Sequence, residues 1–198
     1  MSKCLYIPML ALVTLIFTSC NIINMPQSMN FSFEQGMEGW TSSGTDLDNP
    51  PDQWSIEPSQ DMATKGKTSL KFYLDNVNDA GKIWVTRSFD VEPESHYQVE
   101  VTYKFASADY GGLNLWKIIT GVALEPPRTA GELVYQGDTG NGADPDDGWV
   151  WQRKTYNFNI RTGPEKELYV TIGIWGTWET PRTYYLDDVD VRIIKEQV

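Results

Sequence analysis

The sequence predicts an all-β fold: two antiparallel sheets stacked as a sandwich, in a single domain. Three observations predict it. From Phe31 onward no stretch sustains a helical period. Apolar and polar residues alternate over short segments, so each strand has one buried and one wet face. The segments are separated by turn residues such as Asp75-Asn76, Glu92-Pro93-Glu94, Gly111-Gly112 and Gly163-Pro164. A chain of 198 residues is long enough for one sizeable core.

The N-terminus reads differently. Lys3 precedes an apolar run, Leu5 to Phe17, that is too short to span a bilayer but suits a signal-peptide core. Thr18-Ser19-Cys20 resembles a bacterial lipobox, although Phe17 stands where that motif prefers Leu. Residues 1–19 are expected to be a signal peptide, with Cys20 the lipidated first residue of the mature chain. The alternative is an ordinary signal peptide with an incidental cysteine. Residues 20–30 are expected to be the lipidated cysteine and a tether, and 31–198 the sandwich. The expected location is extracytoplasmic, lipid-anchored to a bacterial cell envelope.

Cleavage before Cys20 leaves no second cysteine, so no disulfide within the chain staples the fold. Lys3 is the one charged residue removed, which takes 16 basic side chains to 15 against 27 acidic, and the net charge from −11 to −12. That charge argues against nucleic acid and anionic lipid as partners. The membrane is then met through the lipid alone, and a monomer is expected.

Strands are predicted at 31–34, 53–57, 68–74, 81–91, 96–106, 113–122, 132–136, 149–160, 167–178 and 182–194. Tyr97, Val99, Val101, Tyr103 and Phe105 share one face of their strand, opposite Gln98, Glu100, Thr102 and Lys104. The last strand, YYLDDVDV, places Asp187 on the parity of Tyr185, Val189 and Val191, so its carboxylate is expected among apolar side chains. A buried carboxylate needs partners.

FEQGMEGW at 33–40, KGKTSLKF at 65–72 and the closing YYLDDVDV resemble, in this order, the jelly-roll carbohydrate-binding modules of bacterial cellulases and xylanases. These modules belong to the galactose-binding-domain-like group. The resemblance covers nearly all of 31–194 and implies a structural Ca2+. Glu34 and Asp187 would supply carboxylates, and backbone carbonyls near Lys67 or Ser69 the remaining ligands. The alternative for Asp187 is an edge role, accepting backbone N–H groups.

Eight tryptophans invite a second expectation. Trp40 and Trp54 are expected in the core. Alternation puts Trp84, Trp175 and Tyr169 on wet faces, and Trp149 and Trp151 as well, beside Arg153. Trp116 is ambiguous. By the family's topology the strands of Trp84, Trp116 and Trp175 share one sheet, where the indoles would line a groove for an oligosaccharide or polysaccharide. The competing reading is a second small core covered by the loops at 107–112 and 137–148. His96 is the single histidine, at a turn, and no concentrated acid motif suggests catalysis. The expected function is a membrane-tethered, non-catalytic glycan-binding domain. The alternatives are an envelope scaffold that docks a protein and a polysaccharide-degrading enzyme with an unrecognised site.

Overall fold

The computed structural model describes residues 27–48, 51–77, 79–108, 116–138, 149–176 and 181–196. Eleven strands are present among them: β1 (Gln27–Phe31), β2 (Thr41–Thr45), β3 (Gln53–Ser59), β4 (Ser69–Asp75), β5 (Lys82–Asp90) and β6 (His96–Ala108), then β7 (Trp116–Ala123), β8 (Tyr135–Asp138), β9 (Trp149–Arg161), β10 (Glu167–Gly176) and β11 (Pro181–Lys195). The one helical element among the described residues is a 3₁₀ turn, Ala130–Glu132.

The strands form two antiparallel sheets. One is six-stranded, in the order β3-β4-β11-β6-β9 with β1 also pairing β11; the other is five-stranded, β2-β5-β10-β7-β8. Between them lies a continuous core that includes Phe72, Val99, Val101, Leu186 and Val191 from the first sheet and Ile83, Val85, Val170 and Ile172 from the second. The strands predicted from alternation beyond the first are recovered with small shifts of their ends, because alternation is the requirement of a strand buried on one side. The exception is 132–136, of which only Tyr135 and Gln136 lie in a strand, β8.

Three expectations fail at the edges. The first strand ends at Phe31 and begins at Gln27, inside the expected tether, because Met29 and Phe31 both pack on the core. β2, reading TSSGT, carries no apolar alternation and is held as an edge strand by its pairing to β5. Trp54, expected in the core, is 36% exposed near the start of edge strand β3.

The fourth departure concerns the closing strand. Pro181–Leu186 pairs with β4, and Val189–Ile193 pairs with β1, so two strands meet end to end along one side of β11. On the other side, the pairing with β6 slips between Asp187 and Asp190. Asp188 adopts a left-handed φ of 51° there. Such a bulge shifts the alternation by one residue. Tyr184 and Leu186 therefore face the core before it, and Val189, Val191 and Ile193 after it. Tyr185 and Asp187 belong to the outer face, opposite to the expectation.

Candidate functional site on the outer faces

Asp187 is wholly buried although it lies on the outer face, because the segment between β3 and β4 folds over it. Its Oδ2 accepts the backbone N–H of Thr64 at 2.6 Å and of Lys65 at 2.9 Å, and the Thr64 hydroxyl at 3.1 Å. Its Oδ1 accepts the N–H of Asp188 at 2.6 Å. Glu34 is treated alike: one carboxylate oxygen accepts the N–H groups of Lys67 at 2.7 Å and Thr68 at 2.6 Å. These two amides hold its carboxyl below the ordinary value of 4.5. The Glu34 carboxyl lies 2.5 Å from where a Cβ of Gly66 would stand, and Gly66 has a φ of 75°, so this approach requires glycine.

The segment thus presents amide protons, not carbonyl oxygens, to both carboxylates. Ser69 donates its own hydroxyl to the Met62 carbonyl at 2.6 Å. A calcium ion needs those oxygens free and more of the same polarity. The arrangement of Glu34, Asp187, Lys67 and Ser69 fits amide-capped acids and does not fit a shared calcium ion.

The aromatic residues expected in one groove fall in separate places. Trp116 is fully buried between the sheets, its ring 5.3 Å from that of Tyr184. Its strand, β7, lies in the five-stranded sheet with β5 and β10, as the family topology implied, but the indole points inward. Trp84 does point outward, and yet it is only 1% exposed. It forms a second small core with Ile119 and Leu133, with Tyr135 and Trp175 against it. A Cβ on Gly173 would stand 2.5 Å from the Cβ of Trp84, so the glycine in the facing strand makes room for the indole.

Among the described residues, the cover over Trp84 is the segment from the 3₁₀ turn to β8. It is tied down by the Thr120 N–H to the Val134 carbonyl at 3.0 Å, by Gln136 to the Thr120 carbonyl at 2.8 Å, and by Glu132 accepting the N–H groups of Arg128 and Thr129. Trp84 and Trp116 are therefore not stacking platforms for a ligand. The 107–112 and 137–148 loops lie largely outside the described residues.

Trp175 is half-buried. Its ring meets Tyr135 at 5.1 Å and the ammonium groups of Lys82 and Lys117 at 4.9 and 5.2 Å, so neighbours of the same chain already occupy it. Tyr169, six residues away on β10, is roughly 20 Å distant and donates its hydroxyl to Glu167. The five-stranded sheet offers no row of open aromatic rings among its described residues.

The outer face of the six-stranded sheet does. Trp149 is 36% exposed and Trp151 partly exposed; both point outward from edge strand β9 with Arg153, as alternation predicted. Trp149 meets Tyr185 edge-on at 5.1 Å, across β6, where small Ala106 is the residue between β9 and Tyr185. Tyr185 in turn approaches Asp61 at 3.3 Å, which pairs with Lys71 at 2.7 Å. The next rows add Lys104, Thr102, Asn30 and Asp188. Sequence analysis missed Tyr185 because the bulge reverses its face, and no signal short of the strand pairing marks a bulge.

No family model matches the chain, and no curated protein matches it. Among solved structures, the K1 cleaved adhesin domain of Lys-gingipain from Porphyromonas gingivalis W83 superimposes with a TM-score of 0.54 at 12% identity, covering 83% of this chain and 97% of that one. The K3 adhesin domain of the same protein gives 0.52 at 16%, covering 84% and 99%. A looser match, 0.47 at 19% over 85% and 95%, is the CBM22-1 xylan-binding domain of Paenibacillus barcinonensis Xyn10C. The likeness is one of fold: the class is the β-sandwich, and carbohydrate-binding modules are among its structural neighbours.

Proposed function

We propose that this domain binds a glycan chain along the outer face of the six-stranded sheet and has no catalytic role. The carrying observation is the line Trp149–Trp151–Arg153 on one face of exposed edge strand β9, with hydrogen-bonding side chains in the adjoining rows. An indole covers the C–H face of a sugar ring at little entropic cost. Removing ~100 Å² of apolar surface from water supplies about 2 kcal/mol per stacked ring. Two platforms and a few hydrogen bonds give a dissociation constant on the order of micromolar to millimolar. His96, the single histidine, opens β6 at the end remote from Trp149, about 40 Å along the strand.

The lipid anchor on Cys20 belongs to the same proposal. It rests on the apolar run ending in Thr-Ser-Cys, seven residues before β1 begins. Such an anchor would hold the glycan-binding face at the envelope surface, where proximity replaces affinity. The binding claim is tested by titrating the domain from residue 27 with an oligosaccharide panel: Trp149→Ala and Trp151→Ala should each weaken binding about tenfold. Absence of any binding, or binding indifferent to both changes, defeats it. Absence of a fatty-acid label on the full chain, with Cys20→Ala as control, defeats the anchor.

A further inference from the structure

Lys104 on β6 and Arg153 on β9 stand directly opposite each other on the outer face. Like charges so placed destabilise a sheet, and in a chain of net charge −11 acids are plentiful enough to part them. The acid at hand, Asp188, is shared among three partners and, of these two cations, pairs with Lys104 only, not with Arg153. Its Oδ1 accepts from Asn30 at 3.1 Å and from Lys65 at 3.3 Å, while Lys104 stands 3.8 Å from Oδ2. Partial burial pushes its carboxyl up, but the Asn30 and Lys65 bonds and the Lys104 charge outweigh this and hold it below the ordinary aspartate range. None of the ion pairs among the described residues engages Arg153.

Beside this cation pair lies a hollow of about 210 Å³, lined by Asn30, Thr102, Lys104, Arg153, Asp188 and Asp190. Pockets for drug-sized molecules begin near ~300 Å³, so this one suits a single ring or substituent of a longer chain. Trp151 lies two residues before Arg153 on the same face of β9, and Trp149 two before that. Aromatic platform, cation pair and hollow are therefore contiguous.

We propose that the glycan bound along Trp149 and Trp151 is acidic, with a sugar carboxylate seated between Arg153 and Lys104. The inference rests on the glycan reading above and names its substrate class. A guanidinium takes a carboxylate through two parallel N–H bonds, and the neighbouring ammonium adds charge without fixing direction. Asn30 and Thr102 then meet hydroxyls. Asp188 and Asp190 accept hydroxyl protons and keep the sugar carboxylate on the β9 side.

The test uses oligomers of galacturonate, glucuronate and mannuronate, each alongside its methyl-esterified form, titrated calorimetrically against the domain from residue 27. At least one acid oligomer should bind about tenfold more tightly than its ester. That preference should shrink at about 0.5 M NaCl and vanish in Arg153→Gln, with Arg153→Lys keeping part of it. Trp149→Ala should weaken acid and ester alike. Neither Arg153 variant should melt below the parent, because the side chain is exposed and Arg153→Gln removes a like-charge pair. Equal binding of acids and esters that still depends on Trp149 overturns the acidic-glycan inference and leaves the glycan reading standing. No binding of any of these oligomers overturns the acidic-glycan inference, and the glycan reading falls with it only if the wider oligosaccharide panel shows no binding either.

Discussion

The two outer faces of this sandwich present tryptophans to opposite ends. On the five-stranded sheet, Trp84 points out of the sandwich and is then roofed by Leu133 and Tyr135, carried on a segment pinned to β7. On the six-stranded sheet, Trp149 and Trp151 point out and stay at least partly open. Parity is the same in both cases. What differs, among the described residues, is whether a later segment of the chain comes back over the strand, and that segment carries the apolar side chains to do it. An outward tryptophan is thus a ligand platform only where the chain supplies no cover of its own.

The largest effects should come from the covered side. Trp116→Ala and Trp84→Ala should each cost about 3 to 5 kcal/mol of stability, by loss of transfer energy and by the cavity left behind. Chemical denaturation measures this; a loss below about 1 kcal/mol for Trp84 would mean that its roof is not closed in solution. Leu133→Ala should destabilise less, by about 2 to 3 kcal/mol, and should raise the accessibility of Trp84 to a fluorescence quencher. That second readout separates an opened roof from general loosening.

Asp187 comes next, because its loss leaves the part-buried amides of Thr64, Lys65 and Asp188 without their acceptor where β4 and β1 meet end to end. Asp187→Ala should cost about 3 kcal/mol, and the exposed Glu34→Gln much less. Chelator should leave the melting temperature of the parent unchanged. A fall on chelation, restored by added calcium through mass action, would reinstate the ion between these carboxylates.

These residues also mark the limit of sequence reasoning. Most strands of both sheets follow from alternation, β1 and β2 excepted, and so do the outward faces of Trp149, Trp151 and Arg153. The cover over Trp84 was not readable, because it depends on which way a 3₁₀ turn without a strong periodic signal folds back. Nor was the face of Asp187. One unpaired residue in a bulge reverses every side chain before it, and the residues that compel the bulge lie in β1, β4 and β6, far along the chain. The burial of Asp187 and its backbone N–H partners match the alternative read from the sequence, but on the opposite face: it meets amide protons outside the sandwich.

Smaller still is the pH effect at Glu34. Its folded carboxyl lies below 4.5, so the stability it adds is complete above that value and is lost as the pH falls through the lowered one. The fall in melting temperature on acidification should accordingly be shallower in Glu34→Gln than in the parent. Identical acid limbs would show that the Lys67 and Thr68 amides do not hold this carboxylate in solution. Least of all should stability respond to Trp149→Ala, by about 1 kcal/mol or less, the Tyr185 ring contact being the main interaction lost.

The claim that the open face is the binding face is tested most directly by following the eight indole N–H resonances during titration with a bound oligosaccharide. The account predicts that the signals of Trp149 and Trp151 shift in a saturable way while those of Trp84 and Trp116 stay fixed. Saturable shifts at Trp84 and Trp175, with Trp149 and Trp151 unmoved, would contradict it and return the ligand to the five-stranded sheet.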